Sequence, residues 1–258
     1  MITAGIDVGS TTTKLALADE ARVVHTDLLP TGVDARATVA RLLDDANRVL
    51  PDVTAEITHT TATGYGRNIC PADSIVTEIT ANARAAASLS VHGEPVQTVI
   101  DIGGQDTKVI RLDQKGFVRN FAMNDRCAAG TGRFLEVMAR VLEMQVTQLA
   151  CADNDEPPRY DIDPTCTVFA ESEVVSLLSE GVDAPRIVNA LHRSIAKRIA
   201  TLARRVGVRP VVICDGGTAL NSALVAALQN ELGHALSVPE NCQYMPAIGA
   251  AAVAASRV

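Results

Sequence analysis

Tryptophan is absent from this 258-residue chain, and only four Phe and three Tyr accompany it. Such a chain lacks the aromatic platforms on which single-stranded nucleic acids stack. Positive charge is also in short supply. Lys and Arg number 23 against 30 Asp and Glu, and the net charge of -7 makes nucleic acid a poor partner. No apolar run reaches the roughly eighteen residues that a membrane span requires, so no membrane partner is expected. The first residues enter a strand pattern without a basic lead, so the reading is a cytoplasmic protein with no signal peptide and with its six Cys reduced. No CxxC pair and no Gly-x-x-x-x-Gly-Lys-Ser/Thr loop occurs. What remains is ordinary for a globular protein: 47% hydrophobic residues, chiefly Ala, Val, Leu and Ile, and 21% charged ones. The length allows one large domain or two modest ones.

Against these absences stands an internal echo. Ile6-Asp7-Val8-Gly9-Ser10-Thr11-Thr12-Thr13-Lys14 returns 94 residues later as Ile100-Asp101-Ile102-Gly103-Gly104-Gln105-Asp106-Thr107-Lys108. Each copy is an apolar strand ending in a carboxylate, then a turn of small and hydroxyl residues whose backbone N–H groups can face an anion. Two such turns could hold a nucleotide's phosphates from both sides while Asp7 and Asp101 hold magnesium. Nucleotide hydrolysis or phosphoryl transfer follows as the first hypothesis. Gln105 is a candidate to orient the attacking water, and Asp106 is read as structural.

The periodicity predicts strands near 2–8, 13–19, 22–29 and 55–61, with helices at 35–50 and 78–91. The second half repeats the opening with strands at 96–102, 107–112 and 117–123. Helices at 131–144, 172–180, 185–206, 219–232 and 245–256 follow, with a buried strand around Val211–Cys214. An α/β fold of two domains results, 1–92 plus 245–258 and 93–244, the boundary falling near Gly93-Glu94-Pro95. The polar, Pro-rich stretch from 151 to 165 reads as a loop.

A third glycine module, Asp215-Gly216-Gly217-Thr218-Ala219-Leu220-Asn221, follows the buried strand. Its adjacent glycines permit close backbone approach to adenine or ribose, with Asn221 placed to hydrogen-bond it. Neither Gly64-Tyr65-Gly66 nor Gly130-Thr131-Gly132 extends to a dinucleotide fingerprint. The three modules resemble the actin, sugar-kinase and chaperone ATPase superfamily, which implies duplicated ribonuclease H-like domains with ATP and magnesium in the cleft between them. In that family the carboxylates matching Asp7 and Asp101 act on magnesium, directly or through water, and on the attacking water. The resemblance extends nucleotide contact to Gly9, Ser10, Thr11, Thr12, Lys14, Gly103, Gly104, Gly216, Gly217 and Asn221, and to Gly249 in a closing helix.

Two cysteines narrow the reading. Cys127 precedes a helix inside Asn124-Asp125-Arg126-Cys127-Ala128-Ala129-Gly130-Thr131-Gly132, where the helix N-terminus and Arg126 would favour thiolate. Cys166 has a comparable setting before Phe169-Ala170-Glu171-Ser172-Glu173. A helix N-terminus suits an anionic iron-sulfur cluster, but a cluster needs about four ligands. If only these two serve, a two-fold homodimer supplies the rest. Cys70, Cys151, Cys214 and Cys242 read as ordinary buried residues.

With Thr63-Gly64-Tyr65-Gly66-Arg67 and Glu78-Ile79-Thr80 added, the chain resembles the activators of 2-hydroxyacyl-CoA dehydratases, a BadF/BadG/BcrA/BcrD-type ATPase family that includes ATPase subunits of benzoyl-CoA reductase. The resemblance implies a homodimer sharing one 4Fe-4S cluster on Cys127 and Cys166 of each subunit. It also implies ATP hydrolysis coupled to low-potential electron transfer, from ferredoxin or flavodoxin to a dehydratase or a benzoyl-CoA reductase-type partner. A sugar- or acetate-kinase-like phosphotransferase is the more distant alternative. Two departures stand out. Asn82 replaces a frequent His, and Asp215 replaces a small neutral residue where its charge could weaken ATP binding or alter base choice. Glu171 and Glu173 read as helix-start acids, and Arg193, Lys197, Arg198, Arg204 and Arg205 as a solvated helix face, with ferredoxin docking the alternative.

Overall fold

The computed structural model describes residues 1–20, 22–124, 127–151 and 160–258. The chain opens with β1 (Ile2–Val8), β2 (Thr12–Asp19) and β3 (Arg22–Pro30). β1 and β2 pair antiparallel with Asp7 opposite Lys14 and Val8 opposite Thr13. Helix α1 (Ala35–Val49) starts where Asp34 accepts hydrogen bonds from the N–H groups of Arg36 and Ala37, and it buries Val39, Leu42 and Ala46. β4 (Ile57–Thr63) runs parallel to β1, and the short β5 (Ser74–Ile75) completes a sheet of order β3-β2-β1-β4-β5. Ile6, Val8, Leu15 and Leu17 meet Val39 and Leu42 in the core beneath it. Each such side chain contributes roughly 2 kcal/mol when fully buried.

Helix α2 (Glu78–Ala86) is capped by Thr77, whose hydroxyl accepts from the Thr80 N–H. The spacing predicts this helix to continue to 91, but it stops at Ala86. His92 and Gly93 both take positive φ, 52° and 83°, and turn the chain into a hairpin of β6 (Ser90–Val91) and β7 (Glu94–Pro95).

The second sheet repeats the first. β8 (Thr98–Ile102) pairs antiparallel with β9 (Thr107–Leu112), Asp101 opposite Lys108 and Ile102 opposite Thr107. With β10 (Val118–Asn124), β11 (Val212–Asp215) and β12 (Leu236–Ser237), the order is β10-β9-β8-β11-β12. Between β10 and β11 come α3 (Gly132–Val141), α4 (Thr167–Ser179) and α5 (Ala184–Val206), and α6 (Ser222–Leu232) follows β11. Ile100, Ile102, Phe134, Met138, Ile187, Leu191 and Ile199 form their shared core. α4 begins five residues before the predicted 172, at Thr167, with Cys166 as its N-cap residue. It is apolar on several sides: Ala170 and Val174 are buried while Val168, Phe169, Val175 and Leu178 stay exposed. The helix predicted from 219 is a 3₁₀ turn, Gly217–Leu220, followed by α6.

The chain divides into two compact units. One holds Met1–Val96, Leu112–Val118 and Gln243–Val258; the other holds Gln97–Arg111 and Arg119–Cys242. In the first, α7 (Met245–Ala255) lies on β1, where a Cβ on Gly5 would stand 1.9 Å from the Ala247 carbonyl oxygen. Nothing larger than hydrogen fits there. Three opening strands followed through one or more helices by a parallel strand, β4 after α1 and β11 after α3, α4 and α5, are the duplicated order of the actin/sugar-kinase/chaperone-type ATPase fold.

Candidate functional site

The two carboxylate turns are built alike, each within its own unit. In the first, the Gly9 N–H donates to the Thr12 carbonyl at 3.1 Å; in the second, the Gly103 N–H donates to the Asp106 carbonyl at 2.9 Å. Asp7 and Asp101 are 3% and 4% exposed. Each is balanced by the lysine that faces it across the hairpin: Lys14 Nζ lies 2.9 Å from Asp7 Oδ2, and Lys108 Nζ lies 3.3 Å from Asp101 Oδ2 and 2.7 Å from Asp106 Oδ1. Lys14, expected to reach the nucleotide, thus has its ammonium on Asp7. Ser10, Thr11 and Gln105 are exposed at the turn tips, with Gly9, Thr12, Gly103 and Gly104 partly so. A Cβ on Gly9 would meet the Thr12 carbonyl oxygen at 2.8 Å, and one on Gly103 would meet Asp106 Oδ1 at 2.7 Å. Both turns therefore present backbone where a phosphate would lie, with a buried carboxylate behind it.

Sequence reading overlooked what packs behind Asp7. Gly64, at φ 91°, leaves no room for a side chain, since its Cβ would lie 2.5 Å from Asp7 Oδ1, and the Gly66 N–H donates to the Val8 carbonyl at 2.8 Å. The signal is Thr63-Gly64-Tyr65-Gly66-Arg67, a stretch that carries the family resemblance but whose sequence alone assigns its glycines no place beside Asp7.

In the second unit the glycine module lies beside the Asp101 turn. β11 runs parallel to β8 with Asp215 opposite Asp101, and a Cβ on Gly216 would approach Asp101 Oδ1 to 2.8 Å. Gly216 is buried and Gly217 exposed. Asp215 is fully buried, and neither carboxyl oxygen has a hydrogen-bond partner among the described residues. Burial, reinforced by the Asp101 carboxylate, pushes it well above the usual carboxylate range and toward the neutral acid. Asn221 is the N-cap of α6: its Oδ1 accepts from the Leu224 N–H, and its Nδ2 lies 3.0 Å from His192 Nε2 on α5. Its amide serves the helix cap, and Gly249 serves a helix contact, since a Cβ there would come within 1.8 Å of the Ala81 carbonyl oxygen on α2. Asn82, next along α2, is completely buried.

The loops that carry the two candidate cluster cysteines meet. Cys127 Sγ lies 3.7 Å from the carbonyl oxygen of Thr165, the residue before Cys166, and both thiols are free and half-buried. Asn124 organises the Cys127 loop by donating to the Cys127 and Ala129 carbonyls, at 3.1 and 3.0 Å. Arg126, expected to support the thiolate, and Asp125 lie outside the described residues, as do 152–159 of the predicted loop and the side chain of Cys151. The first amides of α3 are also committed elsewhere: the Gly132 and Arg133 N–H groups donate to the Gly103 and Gly104 carbonyls at 2.9 and 2.8 Å. Burial pushes the Cys70 thiol up to about 11 and Cys214 well above its ordinary range, so neither competes as a thiolate.

Of the basic residues of α5, Arg193, Arg204 and Arg205 are exposed as a solvated face requires, while Lys197, Arg198 and Arg204 also make contacts. Lys197 pairs with Asp161 at 2.7 Å and Arg204 with Glu231 at 3.0 Å, while Arg198 Nη1 donates to the Pro164 carbonyl at 2.9 Å. Glu173 Oε2 accepts from the Asp163 N–H at 2.8 Å, fastening the chain ahead of Cys166. Among the described residues no three His, Cys, Asp or Glu side chains gather into a metal-binding set, and no helix is long and apolar enough to cross a membrane. The two cysteine loops meet, and two thiols per copy are half of the set that a four-thiolate cluster takes.

Comparison with known proteins is consistent along the chain. The model of the BadF/BadG/BcrA/BcrD ATPase family matches residues 4–254. The activator of lactoyl-CoA dehydratase from Anaerotignum propionicum is 44% identical over 97% of this chain and 96% of its own length. The (R)-2-hydroxyglutaryl-CoA dehydratase activating ATPase of Acidaminococcus fermentans is 43% identical over 96% of this chain and 95% of its own. Among solved structures, the activator of the 2-hydroxyisocaproyl-CoA dehydratase from Clostridium difficile with bound ADPNP superposes with a TM-score of 0.92 at 39% identity, covering 100% of this chain and 95% of that one.

Proposed function

The chain belongs to the BadF/BadG/BcrA/BcrD ATPase family, and from that premise we propose that it is an ATP-hydrolysing iron-sulfur activator of a 2-hydroxyacyl-CoA dehydratase. Asp7 and Asp101 act on magnesium and the attacking water, and Gln105 orients that water. The backbone of Gly9–Thr12 and of Gly103–Gly104 receives the phosphates, and Gly216–Gly217 receives the adenosine. The lysine partners hold both aspartates fixed in direction behind their turns. Asp215, driven toward its neutral form, adds little repulsion to a polyphosphate.

Cys127 and Cys166 of two copies hold one 4Fe-4S cluster, which supplies one-electron chemistry at low potential. In this reading 1–92 with 245–258 and 93–244 act as the two subdomains, in the cytoplasm, with ferredoxin or flavodoxin as donor. Nucleotide turnover biases the helices that follow the two cysteines, and the electron passes to the dehydratase.

The observation that supports the reading best is the meeting of the two cysteine loops, with Cys127 Sγ 3.7 Å from the Thr165 carbonyl. Anaerobic purification tests it. The expected product is a brown dimer with about four irons per two chains that hydrolyses ATP when its dehydratase is present. A colourless, iron-free protein that phosphorylates a small molecule would overturn the redox assignment. Activity only within a benzoyl-CoA reductase-type complex would reassign the partner.

A further inference from the structure

The two halves differ at one matched hydroxyl. Thr13 and Thr107 occupy the same position in the repeated hairpins, each the first paired residue after the turn, and both are buried. Thr13 Oγ1 lies 3.0 Å from Thr31 Oγ1, which donates to the Gly9 carbonyl at 2.7 Å, so this network closes on its own turn. Thr107 Oγ1 instead donates to the Gly130 carbonyl at 2.6 Å, three residues beyond Cys127.

Around Gly130 the second unit joins its phosphate turn to both cysteine loops. The Gly103 carbonyl accepts from Gly132 and the Gly104 carbonyl from Arg133, at the first turn of α3. A peptide group is planar, so the Gly103 carbonyl turns with the Gly104 N–H, and the Gly104 carbonyl with the Gln105 N–H. An anion that reorients those N–H groups therefore pulls on the start of α3. On the other side of Gly130, whose φ is 85°, a Cβ would touch Arg198 Cδ at 3.2 Å. Arg198 reaches the Pro164 and Thr165 carbonyls at 2.9 and 3.5 Å, next to Cys166. A cavity of about 360 Å³ bordered by Thr107, Gly130, Pro164 and Arg198 gives this segment room to turn without opening the core.

We propose that Thr107 is a positioning residue, the pivot that converts nucleotide contact at Gly103–Gly104 into movement of the Cys127 loop. Its hydroxyl, on a buried strand, holds the Gly130 carbonyl in place while the turn draws on Gly132 and Arg133. The segment then rotates about Gly130 instead of sliding. The inference rests on the proposed roles of the turn and the cysteines, and it assigns the link between them to one side chain.

The test uses the full chain freed of iron, with Cys127 alkylation by iodoacetamide followed by peptide mass spectrometry. In the wild type and in Thr107→Ser, a non-hydrolysable ATP analogue with magnesium should change the Cys127 rate about fivefold or more, the range of ordinary coupling energies. In Thr107→Val the change should vanish while analogue affinity stays within about threefold, since the hydroxyl faces away from the turn backbone. A wild-type response retained in Thr107→Val, or a wild type that binds the analogue with Cys127 unmoved, overturns the pivot alone. A wild type that does not bind the analogue overturns the ATPase reading with it.

Discussion

Acidification should weaken the second unit through His192. The imidazole is 1% exposed and has its ordinary pKa of 6.5 lowered to about 4 by burial. Its tautomer follows from Asn221. Because Oδ1 of that amide is used by the Leu224 N–H, Nδ2 must donate to His192 Nε2, which places the ring proton on Nδ1. Protonating Nε2 sets two donors against each other, so the bond to Asn221 or the cap of α6 must break. The folded pKa is depressed, so the unfolded chain binds the extra proton first. The contribution is fully present above pH 6.5 and is lost as pH falls toward 4. At one pKa unit per 1.36 kcal/mol, the full loss is roughly 3 kcal/mol, of which about 2 kcal/mol is gone by pH 5. Urea denaturation followed by circular dichroism at several pH values between 7.5 and 4.5 measures it, with His192→Gln as comparison. The wild type should lose about 2 kcal/mol more than the variant between pH 7.5 and pH 5. Parallel pH profiles would refute the assignment, because they would mean that His192 titrates alike in both states.

Other expectations follow from the site and the packing. Cys127→Ser and Cys166→Ser should each reduce bound iron to background in anaerobic preparations; iron retained at wild-type level would remove that cysteine from the ligand set. Asp101→Asn should lower ATP hydrolysis by at least about a hundredfold with iron content unchanged, and undiminished turnover would exclude it from the chemistry. Gly249→Ala drives a methyl into the Ala81 carbonyl, 1.8 Å from where Cβ would sit. Overpacking of that kind costs about 1–3 kcal/mol, so thermal melting should fall by at least about 2 °C; an unchanged midpoint would mean the helices yield freely.

The fold was legible because duplication leaves a visible trace. Asp7 and Asp101 head matching turns, and the apolar, β-branched runs around them read as strands in both halves. The start of α4 was hidden for the opposite reason. Thr165-Cys166-Thr167-Val168 is β-branched, and Val168 and Phe169 face outward, so no amphipathic period marks the helix. Lys14 and Asn221 were placed in the candidate site by sequence, but their contacts were not legible. Cross-hairpin register puts Lys14 on Asp7, and a cap bond turns Asn221 inward. The links from Gly103, Gly104 and Thr107 to residues 130–133 span more than twenty positions and depend on how β9 meets a loop, which no local pattern reports.

The closure of α7 over β1 also sets an order of events at the ribosome. The Thr3 hydroxyl donates to the Ala251 carbonyl across 248 residues, and Gly5 is in backbone contact with Ala247. The first unit therefore holds its opening strands incomplete until its last helix emerges, while the second unit, most of it contiguous, has every residue it needs by Cys242. At translation rates of about 5–20 residues per second, β1 waits on the order of ten seconds or more between the emergence of β7 and that of α7. A delay of that length exposes to chaperones a strand that the finished unit almost wholly buries, so the nascent chain should be most vulnerable to aggregation in its N-terminal third, although that third is well packed once the chain is finished.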